Sequence, residues 1–415
     1  MKKLAIMMAL VLASTCGYAQ KKAVNSAKNK ASNTESPDFA GAREDIKAAL
    51  ENEETKNLAN TWYVAGLIGY KENEYAMIQA QFGNPKDDEK VGKAVVESYD
   101  YWIKADQIAM TPTLDKKGRE VVDTKTRKAI ADKMLEYYRT QELVKYGIYL
   151  NDKRDYATAY EVFMRHLNIP NLDMMQDAKY QKEMPKDSIY QQYMYYAGIF
   201  AAQAENHDNA IAIFEQMKDG EYEPVTVTQL LYQEYLAKKD TANFVRVLQD
   251  ATVKFPSEPW FLQNLINHYI YSGQEQKAIE YLDQAIAREP NVAQYHHIKG
   301  NLDENAKNYD AALADFDAAL ALDPTLADAH AGKGRVYYNQ AVKMNEDAAY
   351  ITDQKAYNAA LKEMNDMFRK ALPHFEKAHE LDPKNRDFIM ILRGLYYRFQ
   401  MDDKYTAISE ELNNL

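Results

Sequence analysis

Between Ser257 and Pro324 the apolar positions fall into two tandem stretches of one length. Ala278, Leu282 and Ala285 precede Pro290, while Ala312, Phe316 and Ala319 precede Pro324, each corresponding pair 34 residues apart. Pro256 stands a further 34 residues before Pro290. A fixed period of this size marks a stack of helix–turn–helix units. Within each stretch the i, i+4, i+7 spacing places the apolar residues on one helical stripe. Alanine lets two helices approach closely, Leu282 and Phe316 fill the space beside the small residues, and proline ends each second helix. Leu265 and Tyr269 mark a first helix in one unit, and Gly300 marks it in the other.

The stretches WFLQNLINHYIYSGQEQKAIEYLDQAIAREP (Trp260–Pro290) and YHHIKGNLDENAKNYDAALADFDAALALDP (Tyr295–Pro324) resemble the tetratricopeptide repeat (TPR) family. The resemblance implies an all-α fold, a right-handed α-solenoid of TPR-like helix–turn–helix repeats. It also implies a protein that presents a binding surface rather than catalysing a reaction. The segmented pattern further resembles exported multi-TPR proteins of Bacteroidota.

The same stripe, read along the rest of the chain, predicts about eight repeats plus an N-terminal helix. Residues 1–19 read as a signal peptide: Lys2 and Lys3, the apolar run Leu4–Ala13, then Gly17 and Ala19 before a cut at Ala19–Gln20. The run is too short to span a bilayer. A lipidated Cys16 is the alternative, and would make the protein an outer-membrane lipoprotein. Residues 20–38, polar and lysine-rich, read as a flexible leader.

Residues 39–256 read as an N-terminal TPR-like solenoid with insertions. Ala42, Ile46 and Ala49 give a lone capping helix. Trp62, Ala65 and Gly66 pair with Ser98, Trp102 and Ala105, and a Lys117-Gly118 turn predicts a small hairpin. Further repeats carry Tyr146, Gly147, Ala159 and Phe163, then Gly198, Ala210, Phe214 and Met217, then Leu231, Tyr235 and Ala251. In the last of these Phe244 stands where alanine is usual, which predicts a looser helix pair.

After the two well-marked repeats of 257–324, residues 325–385 form a repeat with a long helical insertion (about 341–366). Gly334 to Ala371 is 37 residues where Gly300 to Ala312 is 12. Two lengthened helices are predicted, the second kinked at Pro373. Residues 386–415 read as a C-terminal helix pair carrying Gly394, Tyr397, Ala407 and Ile408.

Composition narrows the function. The formal charge of −11 argues against nucleic acid, which is bound by cations neutralising phosphate. The sole cysteine is Cys16, so a mature chain would hold no disulfide, thiolate metal site or cysteine nucleophile. His296 and His297 are adjacent and diverge on a helix, and His374 and His379 are equally unsuited to sharing a metal. No HExxH, phosphate loop, nucleophile elbow or dinucleotide fingerprint appears. The chain therefore reads as a non-enzyme without cofactor, exported to the periplasm, with a protein or peptide partner and no transmembrane segment in the mature form. An envelope-anchored assembly or secretion factor is the alternative, and a cell-envelope enzyme a distant one.

Aligning the repeats places Gln263, Asn267, His297, Asn301, Arg335 and Tyr338 on the concave face as a candidate peptide-binding groove. Asn267, Asn301 and Arg335 share one repeat position. TPR domains that clamp a peptide's C-terminal carboxylates are similar, with asparagine, asparagine and a basic residue there. The clamp's two lysines are replaced by Gln263 and Ala331. Asparagine is also an ordinary soluble choice for such a face, so the expectation is a polypeptide segment rather than specifically an acidic tail. In the N-terminal half Tyr63, Tyr70 and Tyr195, with Leu67 and Ile199, are expected on the same face.

Overall fold

The computed structural model describes residues 20–115 and 117–414. The signal-peptide reading and Cys16 lie outside the described residues. The chain divides into two compact units, Met1–Phe244 and Val245–Leu415, each built of helix pairs.

In the first unit, helix α1 (residues 20–31) precedes α2 (Phe39–Glu51) and α3 (Ala59–Gln81). This corrects the flexible-leader reading of 20–38. Val24, Ala27 and Ala31 of α1 are buried against Ala42, Ile46 and Ala49 of α2 and Val64, Ala65 and Ile68 of α3. The i, i+3, i+7 stripe was present but sparse, and lysines dominate the text around it. Lys30 pairs with Asp45 of α2 at 2.9 Å. Hence α2 is not a lone cap but the second helix of a pair.

Helix α3 packs on α4 (Asp88–Ala109), where Trp102 is fully buried. The predicted hairpin follows as β1 (Thr113–Leu114) and β2 (Glu120–Val121), antiparallel, with Thr113 opposite Val121. Asp115 Oδ1 accepts the Lys117 and Arg119 backbone N–H groups at 2.7 and 2.9 Å. Gly118 takes the positive φ of +72° that the turn requires.

Helix α5 (Thr124–Thr140) is an addition to the predicted repeat list. Its Ile130, Ala131, Met134 and Tyr137 are buried. Tyr137, Tyr70 and Trp102 form one aromatic cluster with ring centroids 5.4 to 5.8 Å apart. Gln141, at φ 58°, then separates α5 from α6 (Glu142–Asp152).

The pairs α6 and α7 (Tyr156–Asn168), and α9 (Ser188–Gln203) and α10 (His207–Met217), follow as read. The connection after α7 contains α8 (Ala178–Gln181). Helices α11 (Pro224–Ala237) and α12 (Thr241–Lys254) come next, the unit boundary falling inside α12. Phe244 is buried and sets its ring edge-on to Tyr232 at 5.8 Å. Tyr232 occupies the place where other repeats carry glycine, and Phe244 the place where they carry alanine, so a ring pair fills both positions.

One packing device recurs. A Cβ added to Gly66 would meet the Trp102 ring at 2.4 Å, and one on Gly147 would meet Phe163 at 2.4 Å. Gly198 faces Phe214 at 2.5 Å, while Gly300 faces Phe316 and Gly334 faces Phe375, each at 2.8 Å. Each of these five glycines thus receives the aromatic ring of its own second helix. Real Cβ atoms cannot approach that closely, so the glycines are sterically required.

The second unit contains α13 (Pro259–Tyr271), α14 (Glu275–Arg288), α15 (Ala293–Asn305), α16 (Tyr309–Leu322), α17 (Ala327–Ala348), α18 (Gln354–Leu381), α19 (Arg386–Arg398) and α20 (Asp402–Asn413). Helices α17 and α18 are the two lengthened helices predicted, and α18 continues through Pro373. Between Ala341 and Met364 only Ala348 is buried. In the last pair Ile408 is buried as expected, but the other expected positions are not: Gly394 and Ala407 are exposed and Tyr397 is 73% exposed, while Leu392 and Tyr396 are buried instead. Gly394 has nothing within 4 Å of its added Cβ, so this glycine is not a packing contact.

Candidate interaction face

The first helices α13, α15 and α17 carry the expected groove residues. Gln263 and Asn267 are exposed on α13, and Gln263 Nε2 lies 3.4 Å from the Tyr295 hydroxyl, to which it donates. On α15, Asn301 is half-buried and His297 is buried, its ring 6.1 Å from that of Phe316. Burial holds the His297 imidazole below its ordinary pKa; Asp328 opposes this and Arg335 adds to it. The neutral ring can accept from Asn301 Nδ2 at 3.1 Å.

Asn301 and Arg335 come together directly. Arg335 Nη2 donates to Asn301 Oδ1 at 2.8 Å. The same guanidinium forks onto Glu304, with Nε and Nη2 at 3.1 and 2.9 Å from Oε2. Asn339 Nδ2 donates to Glu304 Oε1 at 3.1 Å. The expected chain of solvent-facing groups is therefore a closed network: His297, Asn301, Arg335, Glu304 and Asn339. The Glu304 side chain is only 7% exposed and the Arg335 side chain 38%. A cation so paired has little charge left for a second carboxylate. This corrects the picture of Arg335 as a free fork for an incoming acid.

Glu304 and Asn339 escaped the sequence reading. Glu304 lies one turn after Asn301, and Arg335 lies 31 residues after Glu304 on the next first helix. A cross-repeat charge pair at that offset was the available signal.

Tyr338 does not join the face. Its ring meets Phe368 of α18 edge-on at 5.1 Å, so it belongs to the packing between the lengthened helices. In the first unit Tyr70 and Leu67 are buried, against expectation. Tyr70 donates to Glu136 Oε1 of α5 at 2.6 Å, and Lys133 sits 3.9 Å above its ring. The overlooked α5 covers that part of the ladder. Tyr63, Tyr195 and Ile199 remain half-buried.

Among the described residues no group of three or more His, Cys, Asp or Glu side chains could hold a metal ion. No helix among them is long and apolar enough to cross a membrane.

No family model matches the chain, and no curated protein sequence matches it significantly. Solved structures with related helical arrangements include a crystal structure of MamA, 18% identical over 44% of this chain and 93% of that one, with a TM-score of 0.35. Another is MamA, residues 41 to the end, from Desulfovibrio magneticus RS-1, 18% identical over 47% of this chain and 94% of that one, with a TM-score of 0.34. At this level neither carries an argument. The chain's own helix pairs and their glycine–aromatic contacts define the fold: all-α, built of TPR-like repeats.

Proposed function

We propose that the protein is an exported scaffold, working in the periplasm, that holds an extended polypeptide segment along α13, α15 and α17. One observation carries this reading. Asn267, Asn301 and Arg335 occupy one position on three successive first helices, and Asn267 is exposed while Asn301 is half-buried. The Asn267 amide, and the second Nδ2–H of Asn301 beyond its bonds to His297 and Arg335, suit hydrogen bonding to an extended backbone. Because Glu304 neutralises Arg335, the face selects a segment by backbone hydrogen bonds rather than by an acidic terminus. The mature chain's charge of about −13, once Lys2 and Lys3 are removed, disfavours a nucleic-acid partner.

The test is affinity for a partner captured by crosslinking in cells. Replacing Asn267 and Asn301 together by Ala should weaken binding, each lost amide leaving a buried peptide group short of about 1–3 kcal/mol. Undiminished binding by the double variant rejects the face. Arg335→Ala is a poorer probe, because it strands the Glu304 carboxylate and disturbs folding. Export is tested separately: N-terminal sequencing should find Gln20, and a lipid-blocked Cys16 in the membrane fraction would contradict a free periplasmic protein.

A further inference from the structure

The neighbours of Asn301 dictate where its donor and acceptor lie. Arg335 Nη2, 2.8 Å from one end of the Asn301 amide, can only donate, so that end is the carbonyl oxygen. The other end is then Nδ2, also a pure donor, and it stands 3.1 Å from Nε2 of His297. That ring nitrogen must therefore be the one without a hydrogen. The ring hydrogen sits on Nδ1, which lies 3.5 Å from the Gln294 amide. Helical spacing brings these groups together: His297 and Asn301 are one turn apart on α15, and Arg335 stands 34 residues after Asn301 on α17.

Both neighbours are held in place. Glu304 Oε2 takes Nε and the remaining hydrogen of Nη2 of Arg335 at 3.1 and 2.9 Å, and Asn339 secures the other Glu304 oxygen at 3.1 Å. His297 is 8% exposed and packs on the Phe316 ring of α16. Burial lowers its pKa from 6.5; of the charges facing it from α17, Asp328 opposes this and Arg335 adds to it. The ring is thus neutral at neutral pH and charges only in acid. A proton on Nε2 turns its acceptor into a donor aimed at another donor. Turning the Asn301 amide over satisfies His297 but sets Nδ2 against Arg335 Nη2. One carbonyl oxygen cannot serve two donors on opposite sides of the amide.

We propose that His297 is a positioning residue that makes the α13–α15–α17 face sensitive to pH. The neutral ring holds Asn301 with an N–H directed to the groove. The charged ring turns the amide over and breaks its bond to Arg335. The face then exchanges an amide donor for a carbonyl oxygen, so it favours a peptide carbonyl at neutral pH and loses that preference in acid. This consequence for a bound polypeptide rests on the reading above; the switch itself does not.

The test uses the full mature chain, and its probe is the proton. NMR follows the histidine ring nitrogens and the side-chain nitrogens of asparagine and arginine, from about pH 8 down to the onset of helix melting. Signals lost in His297→Gln, Asn301→Asp and Arg335→Lys assign the three residues. At the upper end His297 should be the Nδ1–H tautomer. As pH falls, His297, the Asn301 amide and the Arg335 guanidinium should shift together with one midpoint. His297→Gln, whose amide oxygen accepts from Asn301 at any pH, should hold the Asn301 signal at its neutral position. Asn301→Asp offers an acceptor to both neighbours, and should move the His297 midpoint to higher pH. An Nε2–H tautomer at neutral pH, an Asn301 signal that ignores the His297 titration or still moves in His297→Gln, or a ring still neutral when the helices melt overturns the proposal. Undiminished partner binding by the Asn267 and Asn301 double variant would reject the binding face and leave these signals as they are, so the two failures are distinct.

Discussion

The α15–α17 region and the α3–α5 region solve the same packing problem differently. In α15–α17 the solution is local and repeated. Phe316 enters between Gly300 on α15 and Gly332 on α17, each approaching its ring within 3 Å of a notional Cβ. In α3–α5 the contact is extended over three helices. Trp102 faces Gly66, but its ring also meets Tyr70 and Tyr137, and Tyr70 bonds onward to Glu136. Charge reinforces this end: Arg43 of α2 reaches Glu72 at 2.8 Å and Glu97 at 2.7 Å. A periodic device couples nearest neighbours, whereas an aromatic and ionic cluster ties together elements that the repeat period does not relate.

The largest expected effects break this contrast. Phe316→Ala and Trp102→Ala should each cost about 3–5 kcal/mol in denaturant unfolding, the range for an aromatic cavity in a core. Their footprints should differ. By hydrogen exchange, Phe316→Ala should loosen α15 to α17, while Trp102→Ala should release α5 as well as α3 and α4. Matching footprints would erase the distinction.

Gly300→Ala comes next. Its methyl group collides with the Phe316 ring, so about 1–3 kcal/mol of destabilisation is expected. Gly394→Ala should do the reverse and stabilise by roughly 0.5–1 kcal/mol, because that glycine faces open space in a helix. The two melting curves together check whether glycine is steric necessity in one place and incidental in the other.

A further effect, visible only in acid, concerns pH. His374, stacked on Tyr337, is pushed by burial from 6.5 down to about 4. A depressed folded pKa means that protonation favours the unfolded chain. Its contribution is complete above pH 6.5 and declines as pH falls toward about 4. Denaturation midpoints across that window should fall less steeply in His374→Gln than in the parent.

Most of this fold was legible because its device is. Where an alanine or glycine lies beside a ring at helical spacing, as at Gly300 and Phe316, sequence and packing coincide. Legibility failed where the stripe was thin or the cue ambiguous. Val24, Ala27 and Ala31 were hidden among lysines, Ile130 and Met134 of α5 carry no glycine or proline punctuation, and Gly394 imitated a packing glycine. The candidate face was half legible. The alignment of Asn267, Asn301 and Arg335 follows from the period, but whether Arg335 is free to meet an incoming acid depends on its pairing with Glu304, whose burial only the folded pair of helices reveals.

The central claim is that a polypeptide lies along α13, α15 and α17. A photoreactive residue placed at exposed Asn267, with exposed Glu280 of α14 as control, tests it in living cells. The account predicts one dominant polypeptide crosslinked from position 267 and little from position 280. Equal crosslinking from both positions, or capture from 280 alone, would contradict it.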